Sequence, residues 1–272
     1  MTRTEQEPEE EALELLRRST LALEQWRDDY VLVGGWAMQL FRELDGMDAD
    51  VEVQRTLDVD IAVDSSLGDE LRERLMQTRL TAIPSRSTSP PITRFQRVER
   101  GDQELAPVHL EFLVPMRGKG SNGVENIGPG IGAQALRYLE LSFQQRRLVE
   151  LPRWRGFPSL HVQVPSPASY LMGKALTLKQ RKPNKRDKDY AYIYLLARMS
   201  RRSWAELRAD FEALDVVPKW RRRATLELRK AFAAASAPGV LGAVRSLDEP
   251  EVDEALVFGV MSRFSSALGL LE

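Results

Sequence analysis

The chain has no cysteine and only two histidines among its 272 residues. Without thiols there is no disulfide, no thiolate zinc centre and no cysteine nucleophile. Long apolar runs are also missing. Nothing approaches the roughly 20 consecutive apolar residues of a membrane-spanning helix, so no membrane partner is expected. The N-terminal residues are Glu-rich rather than basic and apolar like a leader peptide, and the expected location is cytoplasmic. Charge of one sign is absent too: 39 Lys and Arg balance 40 Asp and Glu, for a net charge of −1. No global basic excess advertises nucleic acid, so any such surface must be local. What remains, 43% apolar and 29% charged residues, is ordinary for a globular protein with ample core in one large or two modest domains.

The informative segment runs from Arg55 to Val63. Leu57, Val59, Ile61 and Val63 fall on one parity, Asp58 and Asp60 on the other. In a strand this pattern buries the aliphatics and projects two carboxylates about 7 Å apart from one face. Like charges that close favour a divalent cation between them. Upstream, a short apolar strand over 30–33 turns on Gly34 and Gly35 into a helix, a corner whose N–H groups suit phosphate. A plain strand-to-helix turn and a solvated strand face would use the same residues. Glu111 is the only acid in the strand 107–114, a costly place unless it faces a metal or a partner, or lies on an edge strand. It is the candidate third carboxylate. His109 shares its face, but a lone histidine is more often structural than a ligand. Asp64 lies about 13 Å beyond Asp60 and reads as a strand end.

Around these residues the chain reads as follows. Residues 1–11 are expected to fray, ahead of a helix over 10–27. The carboxylate strand spans 52–63 after an acidic loop at 45–50, with a helix near 67–79. Residues 85–91 form a loop, and strands over 93–98 and 107–114 are separated by a turn at Gly101-Asp102. Residues 117–132, with six glycines, read as a mobile loop. No strand leads into Gly128-Pro129-Gly130-Ile131-Gly132 and no Gly-Lys-Ser/Thr follows, which excludes a phosphate-binding P-loop. A helix is expected over 133–145, then two short extended pieces ending near Val164. Beyond Pro165 helices dominate, over 167–182, 187–200, 203–213, 218–236, 239–246 and 250–270. Ser203-x-x-Glu206 is read as a capping box. The expected division is an α/β unit over 1–164 and an all-helical unit over 165–272. Helical spacing puts Lys174, Leu178 and Arg181 on one side. Pro183-Asn184 are expected to break the chain, with Lys188-Asp189 opening the next helix. A lysine inside an apolar stretch suits a point charge on a triphosphate better than a wet surface.

Together these blocks resemble the nucleotidyltransferase superfamily of the DNA polymerase β type, whose signature is a Gly-Gly or Gly-Ser turn, an Asp-x-Asp strand and a third acidic strand. Within it the chain looks most like the AbiEii/MenT-type nucleotidyltransferase toxins and their relatives. The matching residues are Val33-Gly34-Gly35-Trp36-Ala37, Arg55-Thr56-Leu57-Asp58-Val59-Asp60, Lys174-Ala175-Leu176, Arg181 and the run from Lys188 to Leu196. The Gly-Gly-Trp-Ala opening is also similar to aminoglycoside nucleotidyltransferases. Two departures stand out: relatives often carry aspartate where this chain has Tyr192, and the Gly35-to-Asp58 interval is long. The resemblance implies an α/β (α+β) fold, a mixed sheet with flanking helices followed by a helical C-terminal lobe. It implies Mg²⁺ or Mn²⁺ held by Asp58, Asp60 and Glu111, and an NTP bound by Gly34, Gly35, Thr56, Lys174, Arg181 and Asp189. An NMP would pass to a hydroxyl of a tRNA 3′ end, a protein or a small molecule. The basic run 179–188 and Lys219-Trp220-Arg221-Arg222-Arg223 mildly favour RNA. A cognate antitoxin is a further implied partner. A catalytically silent nucleotide-binding regulator is the alternative, and a purely structural module a third.

Overall fold

A computed structural model describes residues 3–54, 56–84, 92–97, 108–118, 123–151 and 158–270. Arg55, the 85–91 loop, the Gly101-Asp102 turn and residues 119–122 of the glycine-rich stretch lie outside them. The chain forms two compact units. One comprises residues 1–40 and 55–165, the other residues 41–54 and 166–272.

The first unit opens with helix α1 (Arg3–Ala22). The expected fraying of 1–11 gives way to helix from Arg3, since glutamates are good helix formers. Strand β1 (Tyr30–Val33) runs into the short helix α2 (Gly34–Leu40), and β2 (Val59–Val63) pairs antiparallel with β1. Then follow α3 (Leu71–Gln77), β3 (Leu80–Pro84), β4 (Thr93–Arg97) and β5 (Leu110–Pro115). The next strands are β6 (Val124–Gly128), β7 (Ile131–Leu136), β8 (Arg147–Glu150) and β9 (His161–Val164). The main sheet has the order β1-β2-β5-β4-β3, with β7 parallel to β5 beyond β4 and β6 antiparallel to β7. Strands β8 and β9 form a separate hairpin.

Three expectations change here. The carboxylate strand begins at Val59, not at residue 52, because β1 offers partners only as far as Val33, opposite Asp60. Leu57, expected in the core, is consequently exposed. The glycine-rich stretch is not simply a loop, since β6 occupies part of it. The helix expected over 133–145 is instead β7 and a 3-10 turn, Leu139–Phe143. Burial alternates along β7, with Ile131, Ala133 and Ala135 inward, the period of a strand.

Alternation also explains the sheet's two faces. Val59, Ile61 and Val63 are all buried, and α1 packs on β2 and β5. Val31, Val33, Ala62 and Leu113 lie on the other face and form a small apolar cluster with Leu139, flanked by Leu136 and Phe143. This second face also carries Asp60 and Glu111, at the end that the cluster leaves uncovered by apolar side chains.

In the second unit the helices are α4 (Pro167–Thr177), α5 (Pro183–Met199), α6 (Trp204–Ala213), α7 (Pro218–Ala231), α8 (Pro238–Leu247) and α9 (Glu254–Ala267). Four of them start with proline at the first position, where its missing N–H costs nothing. Pro183 therefore opens α5 rather than breaking the chain. The break falls at Arg181 and Lys182, both extended. Ser166 caps α4 by accepting from Ser169 N at 3.1 Å, and Asp253 caps α9 by accepting from Leu256 N at 2.7 Å. The capping box expected at Ser203 does not form: its hydroxyl reaches the carbonyls of Gly46 and Ser200, both at 3.3 Å, instead of receiving an N–H. Residues 41–54 belong to this unit through contacts of this kind. Phe41 packs edge-on against Tyr170, with ring centroids 5.3 Å apart, and Asp48 N donates to Met199 O at 2.8 Å.

Candidate active site

Gly34 sits where β1 ends, with φ at +68°, a backbone that L side chains adopt only with strain. A Cβ there would also collide with the Oδ2 of Asp60, whose Cγ would lie 3.2 Å from it. Glycine is thus required twice over: by the turn, and by the carboxylate pressed against it. Gly35 follows as a buried residue of α2.

Asp60 lies opposite Val33 on one side and opposite Glu111 on the other, in the parallel β2–β5 pairing. Two acids side by side on one face would repel. Glu111 is met by nitrogen donors from two directions. Arg94, its register partner on β4, brings Nε to 2.5 Å from Oε1. His109 places Nε2 at 3.1 Å from the same oxygen and Nδ1 at 3.3 Å from Oδ1 of Asp58. An imidazole between two carboxylates satisfies both only when each nitrogen carries a proton. Accordingly the hydrogen bond to Glu111 raises the His109 pKa above its ordinary value; burial opposes the shift and the Asp58 charge adds to it. Burial pushes the Glu111 carboxyl up, but His109 and Arg94 outweigh it and hold it below the usual carboxylate range. Asp58 is half-exposed and precedes the strand. Thr56 lies half-buried in the irregular segment ahead of it.

The structure therefore brings Gly34, Asp60, Glu111 and, through His109, Asp58 together at one end of the sheet. As the side chains stand, no three His, Cys, Asp or Glu among the described residues converge as ligands of a metal ion. The donor chemistry does suit a hard divalent cation, since carboxylate oxygens are what such ions bind. Glu111, however, is already engaged by Arg94 and His109. Sequence reasoning missed Arg94 entirely and set His109 aside. Its spacing two residues before Glu111 was a usable signal. Arg94 had none, because its pairing with Glu111 is fixed only by strand register.

The second unit holds the other predicted residues. Asp189 on α5, 3% exposed, accepts from Lys174 Nζ at 2.5 Å and from Arg181 Nε at 2.9 Å. Lys174 also lies over the rings of Tyr170 and Tyr192, 5.2 and 4.9 Å from their centroids. Tyr192, which stands where relatives often carry aspartate, thus offers the cation a π face instead of a carboxylate. Lys174, Arg181 and Asp189 form one cluster, and the aromatic pair explains how the lysine is tolerated under apolar cover.

Among the described residues no helix is long and apolar enough to cross a membrane. Comparison with curated proteins and with solved structures gave no match. A family model described as nucleotidyltransferase matches residues 11–215, three quarters of the chain and all of the candidate site residues. On that match the chain belongs to the nucleotidyltransferase family.

Proposed function

We propose that this nucleotidyltransferase moves an NMP from an NTP to an acceptor hydroxyl in a Mg²⁺- or Mn²⁺-dependent reaction. The observation carrying the reading is the fit between Gly34 and Asp60: a positive-φ glycine whose lack of a side chain leaves room for one carboxylate, beside a second on the next strand. Asp58 and Asp60 would hold the divalent cation, and Glu111 would join them on release from Arg94 and His109. When bound, the ion supplies charge neutralisation at the triphosphate and lowers the pKa of the attacking hydroxyl. The chain's own part is positional. The Gly34-Gly35 corner offers backbone N–H groups to phosphate, and Thr56 a hydroxyl. His109 ties Asp58 to Glu111, and Arg94 fixes Glu111 from β4. In the second unit, Lys174 and Arg181 outweigh Asp189 by one positive charge, which supports the nucleotide-binding role read for the three.

The test is incubation of the protein with each α-labelled NTP, divalent metal and total tRNA or cell extract, beside Asp60→Asn. Label should enter a macromolecule or a small acceptor with wild type, and fall by at least 10²-fold in the variant. Equal labelling by both proteins would overturn the proposal. The toxin role and the antitoxin partner implied by the AbiEii/MenT resemblance predict growth arrest on expression, lost in Asp60→Asn. One observation favours a second reading, a silent nucleotide-binding regulator: Glu111 is already satisfied by Arg94 and His109. Metal-dependent NTP binding without pyrophosphate release would select it.

A further inference from the structure

Helix α7 lies outside the residues matched by the family model and has no part in the site above. Its 14 residues carry Lys219, Arg221, Arg222, Arg223, Arg229 and Lys230 against a single acid, Glu227, in a chain whose overall charge is −1. That acid is buried and answered by Lys179 Nζ at 3.0 Å, so it does not offset the basic face. Arg223 turns inward, donating to Leu176 O on α4 at 3.2 Å. The others divide by helical spacing. Pro218, Arg221, Arg222, Thr225, Leu226 and Arg229 line one concavity of about 590 Å³. Its floor holds exposed apolar surface, with Leu226 at 45%, while Arg221 and Arg222 are neighbours in sequence and Arg229 follows about two turns on. Arg221 is half-committed, since its Nη2 caps the end of α6 by donating to Glu212 O and Leu214 O, both at 2.9 Å.

We infer that this face of α7 binds the phosphodiester backbone of a single-stranded nucleic acid. The guanidinium forks of Arg222 and Arg229, two turns apart, suit successive phosphates of a strand in a geometry that lysines lack. Leu226 between them gives a base an apolar surface to rest on, in the place that an aromatic side chain takes in other single-strand sites. An acidic protein segment would meet the same charge, but through single carboxylates of irregular spacing rather than a continuous run of phosphates. The inference does not rest on the transferase reading, because binding here requires neither NTP nor metal.

The experiment is fluorescence anisotropy of labelled oligouridylate and oligothymidylate with the full chain, titrated at 50 to 200 mM salt without nucleotide. Three phosphate contacts predict a slope of log affinity on log salt of about −2, a loss of roughly 20-fold over that range. Binding of either oligonucleotide with that dependence supports the inference. Arg222→Ala with Arg229→Ala should flatten the slope by about 1.4. Leu226→Ala should weaken binding at unchanged slope. Arg222→Glu, at an exposed position, repeats the test should the double variant melt abnormally. Failure of both oligonucleotides to bind at 50 mM salt would overturn the inference. So would affinity and slope untouched by the arginine substitutions, or an oligoglutamate peptide binding as tightly.

Discussion

Gly34→Ala is the sharpest perturbation that the site offers, because two separable costs meet at one atom. The first is conformational: holding an alanine at φ +68° costs about 1–2 kcal/mol. The second is steric, since the new methyl would collide with the Asp60 carboxylate and drive it aside, at about 1–3 kcal/mol as for other overpacked positions. Gly68 isolates the first term. Its φ is +90°, yet nothing lies within 4 Å of where its Cβ would be. Gly68→Ala should therefore lose about 1–2 kcal/mol, a fall of roughly 2–8 °C in melting temperature at 2–4 °C per kcal/mol, and keep its activity. Gly34→Ala should lose about 2–5 kcal/mol and, by displacing Asp60 by the order of 1 Å, about 10²-fold in labelled NMP transfer. In an Asp60→Ala background, the Gly34 substitution should cost no more than the Gly68 one. Thermal melts and the labelling assay on wild type and these four variants decide the matter. Equal stability and equal activity for Gly34→Ala and Gly68→Ala would refute the coupling of the turn to the carboxylate.

Three further outcomes follow from the charges. The pKa of His109 is raised in the fold, so its contribution is complete below the unfolded value of 6.5 and is lost as pH rises through the folded value. Melts from pH 6 to 9 should show wild type losing stability relative to His109→Gln, and parallel curves would exclude that linkage. Asp189→Ala strands a buried lysine and should cost about 3–5 kcal/mol, or roughly 6–20 °C, whereas a melt within about 2 °C of wild type would show the cluster to be inessential. Chelation should abolish NMP transfer but leave the fold intact. Divalent ion at its own Kd adds only about 0.4 kcal/mol, and Asp60→Asn should remove that increment.

Legibility in the sequence followed the range of the interactions. The turn at Gly34 and the parity of Val59, Asp60, Ile61 and Val63 are local, and both are visible in nine or ten residues. The helices of the second unit are announced by proline and serine at their starts, although a proline between two helical stretches reads equally well as a break, and Pro183 is the first residue of α5, after the extended Arg181 and Lys182. The segment 133–145 failed for a different reason. Its alanines favour helix intrinsically, yet Ile131, Ala133 and Ala135 are needed as the inward row of a strand beside β5, so tertiary pairing overrode propensity. The length of the carboxylate strand is likewise undecidable locally, since the register of β1 and β5 sets where its pairing stops. Arg94 and Glu111 lie 17 residues apart and meet through register alone.

The three acids do not stand on equal terms. A carboxylate in an apolar strand calls for a cation, and for Glu111 the protein supplies Arg94, with His109 as a second hydrogen-bond partner. Its place in the strand therefore needs no metal, and two unit charges about 4 Å apart in a medium of effective dielectric near 20 interact by about 4 kcal/mol, enough to hold a half-buried acid ionised. Asp60 is placed by a different device. The fold holds residue 34 at a positive φ that glycine adopts freely, and only glycine there leaves space for that particular carboxylate. An acid whose surroundings are shaped by a backbone requirement matches what a charged substrate or ion would need. The transferase reading thus stands first on Asp60 and second on Asp58, with Glu111 joining them only on release from Arg94 and His109.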